Sequence, residues 1–348
     1  MSLKERIVEH IRENGPMTAA DYMAACLYDP QDGYYATRPS LGGAGADFLT
    51  APEASQMFGE LIGLWCAHEW DVLGKPAFNL IELGPGRGVL MQDAWRATQR
   101  IEGFHDAAAV IFVETSGPLM EEQQARVPNA DWAQRLDDAP PGPALIIGNE
   151  FLDCLPIRQF IRGEDGWHEK LIGITETGAL TFGLSAALPA PDDDETEAGA
   201  VREIAPGLDL LMYEIERRLH DAPGRVLLID YGYVTPEGAD TLQALSLHKH
   251  VDPLAAPGEA DLTAHVHFAR VAQLAADAGL DVHGPITQAR FLRGLGLEVR
   301  AETLANANPA HAPRITRELK RLTDADQMGA LFKVICISSP GLPAPAGF

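Results

Sequence analysis

Apolar positions follow two different spacings along the chain, and the change falls near residue 75. Before it the period is helical. Leu3, Ile7, Val8 and Ile11 share one helix face, and Glu5, Glu9 and Glu13 interrupt the other. Thr18 and Asp21 make a capping-box pattern, with Met17 and Tyr22 spaced as a hydrophobic staple. A loop follows through Gly33-Tyr34-Tyr35, Gly42, Gly43 and Gly45. The next helix is expected to start at Thr50-Ala51-Pro52-Glu53, which supplies a cap, a first-turn proline and an acid. Met57, Leu61, Leu64 and Trp65 form its apolar stripe.

Beyond residue 78 the apolar runs become short and end in polar residues. Phe78 to Leu83, Val110 to Val113, Ala144 to Ile147, Arg225 to Ile229 and Phe332 to Ser338 read as strands, several alternating with helices. This predicts an α/β fold with a doubly wound, mostly parallel sheet. Ligands of such sheets bind beyond the carboxyl ends of the strands. The expected organisation is a helical N-terminal cap (1–75), an α/β core (76–156 and 222–348) and an inserted sub-domain (157–221). Hairpins are expected over Ile157 to Leu184, and a helix over Pro206 to His220. Another helix, capped by Asp261, is expected to run to Gly279.

Composition narrows the function. With 27 Lys+Arg against 50 Asp+Glu, the formal charge of −23 over 348 residues argues against nucleic acid and anionic bilayers as partners and favours a cationic one. The run Asp192 to Glu197 reads as a solvated connection. Four cysteines far apart in sequence fit neither a disulfide framework nor a structural zinc site. The N-terminus has neither an uninterrupted apolar segment nor an acid-free basic one, so a cytoplasmic location is expected. No apolar run approaches membrane-spanning length.

The strongest local signal is Ile81-Glu82-Leu83-Gly84-Pro85-Gly86-Arg87-Gly88, at a strand-to-helix turn. Glycines there permit positive φ and close approach of a ligand, and the helix start offers free N–H groups. The spacing is one residue short of the dinucleotide fingerprint, and no Gly-Lys-Ser/Thr follows as a Walker motif requires. An acid two places before G-x-G-x-G resembles motif I of class I S-adenosylmethionine-dependent methyltransferases. Glu114, ending the next strand, stands where that class places a carboxylate for the ribose hydroxyls. Asn149, Glu150 and Asp153 follow the third strand and place two carboxylates and an amide at the mouth of the sheet, suited to holding a cationic nucleophile and taking its proton.

Further blocks make the resemblance specific. Tyr28-Asp29-Pro30, Gly33-Tyr34-Tyr35, Asp47 to Glu53, Met57-Phe58-Gly59-Glu60, Glu82 to Gly88, Asn149 to Asp153, Asp230-Tyr231-Gly232, Pro257 to His265 and Met328 to Val334 resemble, in order, the MidA family of methyltransferases. The chain departs from the family pattern at Ala46, Gly117, Cys154 and His267. The resemblance implies a class I (Rossmann-like) fold and S-adenosyl-L-methionine as donor. It also implies a protein arginine as acceptor, since the family's mitochondrial member is a complex I assembly factor that dimethylates an arginine of the quinone-site subunit. Glu82, Gly84, Pro85, Gly86, Gly88, Glu114, Thr50 and Asn149 are then the expected cofactor residues. Asp47, Glu150 and Asp153 are expected to grip a guanidinium, whose fork of donors suits paired carboxylates. A small-molecule acceptor and a non-catalytic assembly role remain as alternatives. His265 and His267 would point about 200° apart on the helix expected from Asp261, so no metal site is expected.

Overall fold

The computed structural model describes residues 1–37, 50–188, 196–235, 238–246 and 249–348. Seven strands form the main path of the eight-stranded central sheet: β1 (Phe78–Leu83), β2 (Ala108–Val113), β3 (Asp131–Ala133), β4 (Ala144–Asn149), β5 (Gly224–Tyr233), β6 (Asp281–Thr287) and β7 (Phe332–Ser338); the short strand Val266–His267 pairs with β5 off that path. Their spatial order is β6-β7-β5-β4-β1-β2-β3, and only β7 runs against the rest. The order reverses between β1 and β4, which opens a crevice at their carboxyl ends.

Both sheet faces are buried, which explains why the strands read as continuous apolar runs. Side chains alternate between two cores. Leu80, Val110, Phe112, Leu145, Ile147, Leu227 and Ile229 pack under the helix Gln56–Val72 and the helices near the C-terminus. Ile81, Ile111, Ile146, Val226 and Leu228 pack under the helices Pro206–Asp221 and Phe268–Asp277. The helix Gln56–Val72 lies unusually close to Val89–Thr98. A Cβ on Gly59 would meet Asp93 Cβ at 2.7 Å, and one on Gly63 would meet Ala94 Cα at 2.6 Å.

A third core joins the N-terminal part of the cap to the inserted strands. Leu3, Ile7, Ile11, Tyr22, Met23 and Leu27 pack with Ile157, Ile172, Leu254 and Leu262. Met17 and Thr18 add a strand to the inserted sheet by pairing with Ile172 and Leu171. Residues 1–37 therefore lie on the insertion, whereas the helix Gln56–Val72 lies on the central sheet.

Four expectations are corrected. The helix from Thr50 is two: Ala51–Ala54, then Gln56–Val72, separated by Ser55 in an extended conformation whose hydroxyl caps the second. Leu64, placed on the buried stripe, is 44% exposed. Tyr34–Thr37 is a short helix inside the segment read as a loop. Asp261 caps no helix; Asp261–Thr263 is a strand and the helix begins at Phe268. The apolar positions Leu262, Ala264 and Val266 alternate, a period of two that the acid and threonine disguised as a cap. The angular argument separating His265 from His267 falls with that helix. Glycines 42, 43 and 45, Ala46, Asp47 and residues 192–195 lie outside the described residues.

One buried ion pair ties these layers together. Arg225 at the start of β5 and Glu69 are both fully buried, with Nε to Oε2 at 2.8 Å. Arg225 also donates to Ser338 Oγ at 2.7 Å, and Glu69 accepts from the Ala346 N–H at 2.9 Å. Removing one partner strands a charge in a dry interior. Arg225→Met should cost about 3–5 kcal/mol in urea unfolding, and adding Glu69→Leu should recover part of the loss. Equal stability of Arg225→Met and wild type would show that the pair is not a stabilising tie.

Candidate functional site

The crevice between β1 and β4 opens into a cavity of about 1170 Å³. Its lining includes Tyr28, Tyr35, Thr50, Glu82, Gly84, Gly86, Glu114, Asn149, Glu150, Asp153, Tyr231 and Asp261. Of the sequence-expected site residues that are described, all except Gly88 line it; Asp47 lies outside the described residues. Gly88 sits behind the turn as the helix cap.

The turn after β1 requires its glycines. Gly84, Gly86 and Gly88 have φ of +59°, +52° and +77°, conformations that cost other residues about 1–2 kcal/mol. A Cβ on Gly84 would strike Phe151 at 2.8 Å, whereas one on Gly86 would stand in open space. Arg87 anchors the turn through ion pairs with Glu122 (2.9 Å) and Glu53 (3.4 Å).

Glu82 is 3% exposed, and burial raises its carboxyl to about 8. Its Oε2 and the Oδ1 of Asn149 are buried without a hydrogen-bond partner among the described residues. Such atoms call for a donor-bearing ligand, because an unmatched buried acceptor costs roughly 1–3 kcal/mol. Glu114 Oε1 accepts the N–H groups of Thr115 (2.7 Å) and Ser116 (2.8 Å), while Oε2 accepts Gln123 Nε2 at 3.2 Å. Oε2, with one bond, keeps capacity to accept from a further hydroxyl donor. Burial raises this carboxyl too, against those three donors.

Gln123 was not foreseen from the sequence. Fully buried, it donates to the Gly86 carbonyl at 2.7 Å as well as to Glu114, and accepts from Trp132 Nε1 at 2.7 Å. It thus fixes the glycine turn and the acid of the next strand relative to each other. Its place on a helix of mixed polarity carried no sequence signal.

The turn after β4 gathers negative charge. Glu150 has φ of +51°, the only such value among described non-glycine residues besides Lys75. Its N–H extends the ladder to the Ile229 carbonyl at 2.9 Å, and its Oε1 accepts from Ala51 N–H and Asn149 Nδ2, both at 3.1 Å. The free N–H at the helix start beside Thr50 is thereby given to Glu150, and the Thr50 hydroxyl makes no cap bond. Asp230, at the end of β5, takes the N–H groups of Leu152 (2.8 Å) and Asp153 (3.2 Å) on Oδ2 and that of Tyr231 (2.9 Å) on Oδ1. This buried carboxylate, which the sequence marked only as a polar strand end, shapes the whole turn. Tyr231 hydrogen-bonds Asp153.

Burial pushes Glu150 up to about 7 and Asp153 up to about 6, and Asp230 well above the usual range. Their mutual repulsion adds to the rise of Glu150 and Asp230. Among the described residues none of the three forms an ion pair with Lys or Arg. Tyr28 and Tyr35 close the outer wall. Their rings lie 5.7 Å apart, with hydroxyls donating to the Cys154 carbonyl (2.8 Å) and Asp261 Oδ1 (3.0 Å). Among the described residues no group of three His, Cys, Asp or Glu side chains is arranged to hold a metal ion, and no helix is long and apolar enough to cross a membrane.

Known proteins are similar to this chain in sequence and fold. A family model describing S-adenosyl-L-methionine-dependent methyltransferases matches residues 61–286. The Caenorhabditis elegans protein arginine methyltransferase NDUFAF7 homolog, mitochondrial, is 36% identical, with 87% of this chain and 78% of the relative covered. Its human counterpart, protein arginine methyltransferase NDUFAF7, mitochondrial, is 34% identical over 94% of this chain and 81% of the relative. A crystal structure of a Burkholderia thailandensis protein bound to S-adenosyl-homocysteine superposes with a TM-score of 0.88. It is 25% identical, over 99% of this chain and 93% of that one. The cytoplasmic location expected from the sequence is overturned by these relatives, which are named as mitochondrial.

The open space at Gly86 yields a sharp test. Gly86→Val should abolish S-adenosylmethionine binding in calorimetry while leaving the circular dichroism of the fold intact. Unchanged affinity would place the cofactor elsewhere.

Proposed function

The chain belongs to this family of S-adenosyl-L-methionine-dependent methyltransferases, and on that premise we propose that it methylates an arginine side chain of a protein acceptor. The observation that carries the proposal is the trio of carboxyls, half-buried Glu150 with buried Asp153 and Asp230, gathered beside the glycine turn and forming no ion pair with Lys or Arg among the described residues. A guanidinium brings the missing positive charge, and its planar fork of N–H donors matches paired carboxylates.

The glycine turn and Glu114 would hold the cofactor, with Glu82 Oε2 and Asn149 Oδ1 as acceptors for its donor groups. When bound, S-adenosylmethionine supplies an electrophilic methyl group on a sulfonium. Glu150 and Asp153 would orient the guanidinium so that one nitrogen faces that methyl carbon, the geometry an in-line displacement needs. That nitrogen gains a carbon and must lose a proton, and one of the two carboxylates would accept it. A buried carboxyl titrating near 6–7 is a stronger base than an exposed one near 4. Asp230 would contribute by holding the backbone of 152 and 153 in place.

Incubation of the protein and methyl-labelled S-adenosylmethionine with cell extract should place label on arginine of a protein. The quinone-site subunit of complex I implied by the resemblance is the first acceptor to assay. Label confined to small molecules would refute the acceptor class. Ionised Glu150 and Asp153 are needed for the grip, so kcat/KM for the acceptor should rise with pH through about 6 to 7 and then level. Asp153→Asn should lower it at least ~100-fold with S-adenosylmethionine affinity retained.

Stability should move the opposite way. Between about pH 4, where these carboxyls titrate when unfolded, and about pH 7, the folded state holds protons that the unfolded state has released. These groups therefore stabilise the ligand-free protein at low pH, and that contribution is lost as pH rises through the window. Glu150→Gln should flatten the decline in thermal denaturation scans. An unflattened decline would mean that the raised carboxyl is not the cause.

A further inference from the structure

Positive charge is concentrated in one part of this acidic molecule. Residues 288–323 carry seven Lys and Arg against three Asp and Glu, in a chain with 27 against 50. The helix Ala312–Thr323 holds four of the seven, Arg314, Arg317, Lys320 and Arg321, against Glu318 alone. At 100° per residue, Arg314, Arg317 and Arg321 fall within roughly 60° of one another, with Lys320 flanking them. Ile315 and Leu322, on another side, are buried. Attraction to the helix's negative carboxyl end accounts for cations in its last turn but not for Arg317. Arg314 pairs with Glu318 at 2.6 Å. Arg317 and Lys320 are exposed and, among the described residues, form no ion pair.

This helix ends at the mouth of the cavity. Arg321 lines the cavity together with Met328, Leu331 and Phe332, and the Nε of Arg321 is buried without a hydrogen-bond partner. A segment leaving the acidic interior past these residues would reach the basic face next. We propose that the basic face of helix Ala312–Thr323 docks an acidic segment of the acceptor protein, next to the arginine that enters the cavity. The inference rests on the reading of the acceptor as a protein. Charge complementarity selects the occupant. A narrow acidic peptide can lie along one helix, whereas a broad anionic bilayer would be repelled by the surrounding negative surface. Recognition is thus bipartite, with a cation taken into the cavity and acidic residues held outside it.

The test uses the intact protein and a fluorescein-labelled decaglutamate peptide, with decalysine as control. Binding of decaglutamate, read by anisotropy, should weaken as salt rises. It should fall tenfold or more in Arg317→Glu/Lys320→Glu, and at least severalfold in the milder Arg317→Gln/Lys320→Gln. S-adenosylmethionine affinity and thermal stability should be unchanged in the glutamine variant, which separates lost docking from lost folding. Wild-type protein that ignores decaglutamate, binds it equally after either double substitution, or binds anionic vesicles instead would overturn the proposal. Failure of arginine methylation with salt-sensitive decaglutamate binding intact would refute the acceptor reading and leave the docking face standing.

Discussion

The arrangement of the cleft depends on a cluster of carboxyl groups that, among the described residues, form no ion pair with Lys or Arg. Glu150, Asp153 and Asp230 meet where β4 and β5 end, and the backbone around them is bent to suit. Asp230 collects three N–H groups from the turn it faces, and Glu150 takes a left-handed conformation that a glycine would adopt more easily. Such a cluster raises its own carboxyls and destabilises the neutral-pH apoprotein. A cationic ligand reverses both effects. The strain and the raised carboxyls therefore occur in one cluster, whose mutual repulsion a bound cation would relieve.

The rest of the fold supplies the stability that this site gives up. The Arg225–Glu69 pair, buried and hydrogen-bonded to Ser338 and the Ala346 N–H, lies on the amino-terminal side of β5, at the opposite end of the sheet from the acidic cluster. Close approach of two helices at Gly59 and Gly63 brings their backbones together over one sheet face. At the other extreme, residues 1–37 and the inserted strands share a core that reaches the central domain through the segment containing Leu254 and Leu262.

What could be read from the sequence was what is local and periodic. Strands buried on both faces are continuous apolar runs, so Phe78 to Leu83 and Ala144 to Ile147 stood out, and the glycine turn between β1 and its helix was visible because glycine adopts those φ values at least cost. The polar ends of the strands pointed to Glu114, Glu150 and Asp153. Partnerships made by the tertiary fold were not legible. Gln123 is an ordinary polar residue until the fold sets it between Gly86 and Glu114, and Arg225 opened an otherwise apolar strand without naming its partner. The misread helix at Asp261 has a different origin. Asp followed by alternating apolar residues fits a cap or a short strand equally well, and long-range pairing with Gln243–Ser246 decided for the strand.

The residues around the helix Ala51–Ala54 link the two halves of the cleft. Its Glu53 reaches the glycine turn through Arg87, and its first N–H, from Ala51, reaches Glu150. Across the cavity, the Ser116 hydroxyl, two residues beyond Glu114, donates to the Tyr35 carbonyl at 2.8 Å, and the Tyr35 hydroxyl reaches Asp261. Each path joins the glycine turn or Glu114 to Glu150 or Asp261 by one or two directional bonds. A ligand that orders the glycine turn or Glu114 must therefore also constrain Glu150, Tyr35 and Asp261. Under the proposed arginine-methylating reading, such coupling would let the donor's site form first and hold Glu150 and Asp153 in register for the acceptor, because a guanidinium gripped before the turn is set would have no fixed direction of attack.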